Sequence, residues 1–202
     1  MTKSRLSLKA TLCMFVALLM AALWTQPANA YTWARRVTVY NASGLCVQGD
    51  AGIDHQRPGA FSGNLAYSVT YALKQGCGTG LNEPDGWAAT RAIVFKWNGS
   101  GWDVCRTSAW KFGATGVNRW GPWGPEQSID WGGWASCGAG FYGTQAAAYV
   151  WDGSAWRGGS VWSGFEQATP AGVARMRQPA NSSAPAPHVK PPAVRPAARA
   201  AR

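Results

Sequence analysis

Few residues in this sequence could do acid–base or nucleophilic chemistry. Asp50 and Asp54 lie four residues apart beside His55, a pattern that could bind calcium or assist a nucleophile. Cys46 would then be the nucleophile, but that role requires a cysteine outside any disulfide. Such an acidic segment is more often a solvated loop, and no Gly-x-Ser-x-Gly motif marks a serine nucleophile. We therefore predict no catalytic residues.

Two further carboxylate clusters are Glu83-Pro84-Asp85 and the pair Glu126 and Asp130. A glycosidase needs two carboxylates about 5–10 Å apart, a separation that sequence does not fix. The proline within the first cluster is typical of a surface turn. Only one histidine lies between the two ends of the chain, and no Cys-x-x-Cys pair occurs. We therefore expect no metal and no cofactor.

Tryptophan is unusually frequent: the chain has 13, and all except Trp24 lie in residues 31–170. Indole has a flat apolar face and one N–H donor, so it packs in cores and also stacks on sugar rings or partner surfaces. Four of these tryptophans have glycine or proline as sequence neighbours, which is typical of surface loops. We predict that the four form an exposed ligand-binding platform, with a loop folded back over the core as the alternative. They are Trp120, Trp123, Trp131 and Trp134.

An internal repeat indicates which elements carry other tryptophans. Thr90–Trp102 recurs as Thr144–Trp156, with Thr, Ala, an aromatic residue, Trp, Asn or Asp, Gly, Ser and Trp in register. Each copy predicts a strand, a four-residue turn and a second strand, which together form a β-hairpin. A weaker relative, Val39–Leu45, lies upstream. The predicted cross-strand pairs are Trp97 with Trp102, Lys96 with Asp103, Val94 with Cys105, Trp151 with Trp156, and Tyr40 with Leu45.

Four cysteines lie beyond residue 30, and an even count in an exported chain favours two disulfides. Within each repeat the two cysteines are separated by nearly the same distance in sequence, from Cys46 to Cys77 and from Cys105 to Cys137. Each second cysteine also begins a Cys-Gly-x-Gly segment. The simplest pairing is therefore Cys46 with Cys77 and Cys105 with Cys137. Disulfides that cross between the repeats are the alternative.

The rest of the pattern favours β-structure. Ala66–Leu73 has the alternation of a strand, and no capped helix pattern occurs between residues 31 and 170. The chain has 25 glycines and many turn signals. We therefore predict one all-β domain over residues 31–170, a disulfide-braced β-sandwich or irregular barrel with internal hairpin repeats.

The N-terminus has the three parts of a secretory signal in order. A basic stretch precedes an apolar run from Ala10 to Leu23, and Ala28-Asn29-Ala30 supplies the small residues that a signal peptidase accepts. The apolar run is short for a membrane span, and an uncleaved anchor is the alternative. We predict a signal peptide over residues 1–30, cleaved after Ala30, and a secreted, extracellular protein that is not integrated in a membrane.

Residues 171–202 form a Pro-, Ala- and Arg-rich tail with few large apolar side chains. Prolines spread through it prevent a continuous helix and favour polyproline II or disorder. We predict a disordered basic arm whose removal leaves the fold intact. Most of the net charge of +10 belongs to this arm and to the signal peptide. No nucleic-acid partner is expected, because the basic residues are not interleaved with a stacking surface inside the fold.

These features favour a binding module over an enzyme. We predict a secreted, non-catalytic module that recognises polysaccharide or an anionic wall polymer of a bacterial cell envelope through exposed tryptophans. The alternative is a factor directed at another secreted protein, such as a protease inhibitor or an antagonistic factor, because small disulfide-braced domains suit that task. A secreted hydrolase is the least favoured class.

Overall fold

The computed structural model describes residues 31–54, 64–132, 134–168, 184–186 and 189–196, without the side chains of Trp134 and Ala135. The predicted signal peptide and His55 lie outside the described residues, as does the rest of the tail. The described helices include none that is both long and apolar enough to cross a membrane.

The described chain is nearly all β-strand, with one short helix. Its elements in chain order are β1 (Tyr31–Ala42), β2 (Leu45–Asp54), β3 (Leu65–Lys74), β4 (Ala88–Trp97), β5 (Trp102–Thr107), β6 (Lys111–Gly113), β7 (Gly116–Asn118), β8 (Gly121–Trp123), β9 (Glu126–Asp130), α1 (Trp134–Cys137), β10 (Gly140–Trp151) and β11 (Trp156–Ala168).

Two antiparallel sheets form a sandwich. Sheet A has the strand order β1-β2-β3-β9, and sheet B has the order β11-β10-β4-β5, with β6 also paired to β4. The β7–β8 hairpin forms a separate two-stranded sheet. This arrangement confirms the predicted all-β, disulfide-braced domain.

Alternate residues of β2 and β10 fill the space between the sheets. Val47 from β2 packs with Ala148 and Val150 from β10, and burying such apolar side chains is the main force that holds the sheets together. Gly49 lies where the sheets come closest, since a Cβ atom there would be 2.8 Å from that of Ala148. The residues between these on each strand point to the outer faces of the sandwich.

The repeated hairpins form as predicted. The confirmed cross-strand pairs are Trp97 with Trp102, Lys96 with Asp103, and Trp151 with Trp156. Both Trp pairs meet edge to face, with ring centroids 5.4 Å and 5.7 Å apart. This geometry is favourable for aromatic pairs, so these indoles stabilise the sheet.

The weaker upstream relative is also a hairpin, but its register differs from the prediction. Ser43 and Gly44 adopt φ of 53° and 81° and make a two-residue turn. Leu45 therefore pairs with Ala42, and the prediction that Tyr40 faces Leu45 is wrong.

A β-bulge overturns one further predicted pair. The register of β4 against β5 shifts between Val94 and Phe95, so Val94 lies opposite Arg106 and Phe95 opposite Val104. The predicted pairing of Val94 with Cys105 is therefore wrong, because a bulge sets two residues of one strand against one of the other.

Both disulfides connect cysteines within one repeat. Cys46 in β2 is bonded to Cys77, and Cys105 in β5 is bonded to Cys137 in α1, with Cα atoms 5.4 Å and 6.0 Å apart. The pairing predicted from the spacing is confirmed, and the crossed alternative is wrong. Each bridge closes a loop of about 30 residues and stabilises the fold by roughly 3–4 kcal/mol in the chain-entropy model.

The two repeated turns use the same side-chain bonds. The Asn98 side-chain oxygen accepts hydrogen bonds from the N–H groups of Ser100 and Gly101, and Asp152 does the same for Ser154 and Ala155. Partial burial by itself would raise the pKa of Asp152. Bonds from Arg157 and from these donors outweigh it and hold the pKa well below its usual range.

Replacing Asp152 with asparagine is expected to keep this turn, because Asn98 already forms it in the first copy. Only the ion pair with Arg157 is lost, and its 2.6 Å contact is largely exposed to solvent. At pH 7 the unfolding midpoint should fall by at most about 4 °C. A lowered acid pKa stabilises the fold above pH 4, so thermal scans should show this small difference vanishing as the pH falls below that value. A difference independent of pH would contradict the role given to the ion pair.

Part of the C-terminal tail lies against the outer face of sheet B. Hydrogen bonds join the tail backbone at Pro185, Ala186 and Val189 to side chains of β10, and a further one joins Val194 to β11. Pro192 is buried. These segments therefore differ from the predicted disordered arm; the remaining tail residues lie outside the described part of the chain.

Candidate recognition site at the Trp120 hairpin

The β7–β8 hairpin carries the most exposed large hydrophobic side chain among the described residues. Trp120 is 81% exposed, and Val117 and Trp123 are 50% and 43% exposed. Exposed apolar side chains gathered in one short segment are typical of recognition surfaces, whereas isolated ones are ordinary. This hairpin is therefore the candidate functional site.

The turn of the hairpin presents Trp120 at its tip. Asn118 lies opposite Gly121, so Arg119 and Trp120 are the two loop residues between the strands. The Asn118 side-chain oxygen accepts a 2.8 Å hydrogen bond from the Trp120 N–H, and Gly121 adopts a φ of 108° that disfavours other residues. The local sequence thus fixes the backbone that projects the indole.

The base of the hairpin is closely fitted to sheet A. A Cβ atom on Gly116 would lie 2.7 Å from the Trp123 ring, so only glycine allows that ring to cover the backbone. Gly124 likewise approaches the backbone of Thr70 too closely for any side chain. The Thr70 N–H donates a 3.2 Å hydrogen bond to the carbonyl of Pro125. These contacts hold the exposed tip on a rigid support.

An arginine from β1 ties the hairpin to the outer face of sheet A. Arg36 lies in a bulge of β1 with a φ of 52°, and its guanidinium donates a 3.0 Å bond to the carbonyl of Pro122. Its guanidinium carbon lies 3.7 Å from the centroid of the Tyr71 ring. The Arg36 N–H and the Tyr71 hydroxyl both donate to the buried Asp50 carboxylate, at 2.7 Å and 2.9 Å. The bulge therefore aims Arg36 at the hairpin.

Tyr71 acts in this arrangement as a neutral hydrogen-bond donor. Burial raises the pKa of its hydroxyl well above the usual range, and the neighbouring Asp50 carboxylate raises it further. The proton consequently stays on Tyr71 at physiological pH. The group supports the hairpin through its hydrogen bond to Asp50.

The tip also carries a positive charge. The Arg119 guanidinium lies 4.9 Å from the centroid of the Trp120 ring, within the range of a cation–π contact. Both side chains are exposed. The tip therefore offers a flat apolar face beside a planar cation that can donate hydrogen bonds to a carboxylate or phosphate.

Trp131 does not belong to this surface. It is fully buried, its ring centroid lies 4.5 Å from that of Tyr142, and its N–H donates a 3.1 Å bond to the carbonyl of Asp54. The prediction of an exposed Trp131 is therefore wrong, because the chain turns inward after β9. Trp134 begins α1, and its side chain lies outside the described residues.

Sequence reasoning missed two residues of the site, Arg36 and Arg119. Arg119 stands directly before Trp120, and the sequence Asn-Arg-Trp-Gly has the turn residues that place both side chains at a hairpin tip. Nothing comparable marks Arg36, because the bulge that redirects it is visible only in the register of β1 against β2.

Three of the carboxylates considered for catalysis lie in different surroundings. Asp50 is committed to Tyr71 and Arg36, while Glu126 and Asp130 are exposed on the edge strand β9. In the described part of the chain, no group of three or more His, Cys, Asp or Glu side chains could hold a metal ion. None of these carboxylates therefore adds chemistry to the hairpin.

Comparisons of the chain with protein-family models, curated proteins and solved structures found no match. The chemistry and geometry of the hairpin are therefore the basis for assigning a function.

Proposed function

We propose that this chain is a secreted, non-catalytic module that binds cell-wall polysaccharide through Trp120 and Trp123. The observation that carries the proposal is the 81% exposure of Trp120 at the tip of a hairpin whose base is fixed. Keeping an indole in water is unfavourable, and a closely supported loop is ready to bind without first being ordered.

The charge of the site favours a ligand that carries acidic groups. Arg119 lies beside Trp120, so a sugar ring stacked on the indole would bring a ring carboxylate or phosphate within reach of the guanidinium. An anionic wall polymer fits this pairing of a flat apolar ring with a cation.

The extracellular setting is supported by the two disulfides, which persist in oxidising compartments and are rare in the cytosol. The proposed signal peptide would direct the chain there.

A protein ligand is the second candidate, and the exposure of Val117 beside the tryptophans favours it. Trp and Arg are the residues that most often dominate the energy of protein interfaces.

Trp120→Ala is expected to reduce affinity for insoluble polysaccharide or bacterial cell wall at least about thirtyfold, since a dominant contact residue contributes about 2 kcal/mol or more. Co-sedimentation of the mature chain at low and high salt measures this. Arg119→Gln should weaken retention on anionic polymers only, and more at low salt than at high salt.

Val104→Ala is the control, because Val104 is 46% exposed on sheet B, away from the hairpin. It should leave retention unchanged. Retention that depends on the tail and not on Trp120 would contradict the proposal and assign the binding to non-specific charge. Binding only to secreted proteins would favour the protein-directed candidate.

A further inference from the structure

The outer face of sheet B holds a groove that the proposed function does not use. Gln145 and Tyr149 project from β10 on the side opposite Ala146 and Ala148, which pack toward sheet A. Trp156 projects beside them from β11. This groove and the Trp120 hairpin therefore lie on opposite faces of the sandwich.

Aromatic rings form the wall of the groove. Trp110 lies 6.0 Å from the ring of Tyr149, and Phe112 lies 6.0 Å from that of Trp156, measured between centroids. Gln145 and Tyr149 are only 1% and 7% exposed although they lie on an outer face. Burial there requires a cover, and residues 184–186 and 189–196 of the tail supply part of it.

The hydrogen bonds that join these three groove side chains to tail residues 184–186 and 189–196 follow one pattern, in which the groove side chain donates and a tail carbonyl accepts. The Gln145 amide donates to the carbonyls of Pro185 and Ala186 at 3.3 Å and 3.5 Å. The Tyr149 hydroxyl donates to Val189 at 3.2 Å, and the Trp156 N–H donates to Val194 at 2.9 Å. Proline has no N–H, so a proline-rich chain can bind a protein surface through its carbonyls and rings alone.

The spacing of the contacts fits an extended proline-rich segment. From Gln145 to Tyr149 the strand advances about 13 Å, at roughly 3.3 Å per residue. Any four-residue polyproline II segment advances about 12 Å, at roughly 3.1 Å per residue, which is close to this span. The near-equal advance lets donors four residues apart on β10 reach carbonyls four residues apart on the tail. Pro192 is buried further along the tail.

We propose that this groove, lined by Trp110, Gln145, Tyr149 and Trp156, is a recognition site for extended proline-rich peptides, and that tail residues 184–186 and 189–196 act as its resident ligand. Aromatic-lined grooves bind such peptides at low entropic cost, because the free peptide already has the bound conformation. The tail is then an exchangeable ligand, and a proline-rich segment of another polypeptide can replace it.

The test separates the tail from its own domain. A specific protease site is inserted between residues 169 and 183 of the full mature chain, the folded protein is cut, and the tail fragment is removed. A synthetic peptide of residues 184–196 is then titrated in, with tryptophan fluorescence as the readout. A short linker gives an effective concentration of about millimolar, so a tail that stays docked requires a Kd below about 1 mM.

Saturable binding below about 1 mM is the expected result, with near-UV circular dichroism unchanged by the cut. Tyr149→Phe should weaken peptide binding about three- to tenfold, because it removes one hydrogen bond between the domain and the peptide. Tyr142→Phe is the matched control, because that hydroxyl on the same strand donates to Gly138 instead of the tail. A peptide with Pro192→Gly should also bind more weakly.

Three results would overturn the proposal. The first is the absence of saturation at several millimolar peptide, and the second is an equal loss of binding in the Tyr149 and Tyr142 variants. The third is unfolding of the domain once the tail is removed, because the tail would then be a part of the core and not an exchangeable ligand.

Discussion

Replacing Trp131 with alanine is expected to lower the free energy of unfolding by about 3–5 kcal/mol, the usual cost of truncating a fully buried aromatic side chain. Trp131 has no exposed surface, and its ring packs against Tyr142 in the cluster that also contains Ile53 and Val94. Truncation would leave a cavity there and would also leave the buried carbonyl of Asp54 without the indole N–H donor.

Trp120→Ala is the matched control for this prediction, because it truncates the same residue type in a segment of similar Gly- and Pro-rich sequence. Trp120 is 81% exposed, so its replacement should change the free energy of unfolding by no more than about 0.5 kcal/mol. Unfolding in guanidinium chloride measures both variants. Equal costs in the two variants would contradict the division of these tryptophans between core and surface.

Glu166→Gln is expected to stabilise the protein at neutral and alkaline pH. Burial, together with repulsion from the nearby Asp54, raises the pKa of the Glu166 carboxyl to about 10. The folded protein therefore keeps a proton that the unfolded chain releases near pH 4.5. Folding is favoured by this group below pH 4.5, and that advantage is lost as the pH rises toward 10.

The free energy of unfolding of Glu166→Gln should exceed that of the wild type by an amount that grows with pH, by up to about 1.4 kcal/mol for each pH unit between 5 and 9. Urea unfolding at several pH values measures the difference. Glu126→Gln is the control, since Glu126 is exposed on β9 and should show no such trend. A constant difference between Glu166→Gln and wild type would show that Glu166 ionises normally in the fold.

The repeat explains why much of the fold could be predicted from the sequence. Hairpin turns such as Asn98–Gly101 depend on residues that are close together in the chain. Because the segment occurs twice, the second copy supports the turn predicted from the first. The disulfides follow from the same repetition, because corresponding cysteines occupy corresponding places. Local chemistry and its recurrence are both visible in a sequence.

The incorrect predictions arose where packing between distant segments decides the structure. Trp120 and Trp131 occur in similar Gly-rich phrases, yet one caps a hairpin and the other fills the core beside β10. Composition alone does not distinguish them, because the direction of the chain after β9 depends on its pairing with β3. The bulge at Arg36 was missed for the same reason.

The described tail residues also differ from the structure expected from the sequence. The described tail residues contain no helix, and the few apolar residues suggested an arm without contacts. The groove on sheet B offers donors to the tail backbone, so Val189 and Val194 are held by a surface that the tail sequence does not reveal. Docking of this kind depends on the partner surface as much as on the segment.

The most direct test of the proposed recognition site combines binding and stability in one variant, Trp120→Ala with Trp123→Ala. The mature wild type and the double variant are sedimented with insoluble cell-wall polysaccharide, and thermal unfolding is measured on the same preparations. We expect retention to be lost while the unfolding midpoint stays within about 4 °C of the wild type, the shift that a change of about 1 kcal/mol causes, since Trp120 is 81% exposed and Trp123 packs only in part, against Gly116. Unchanged retention in a folded double variant, or collapse of the fold, would contradict the account.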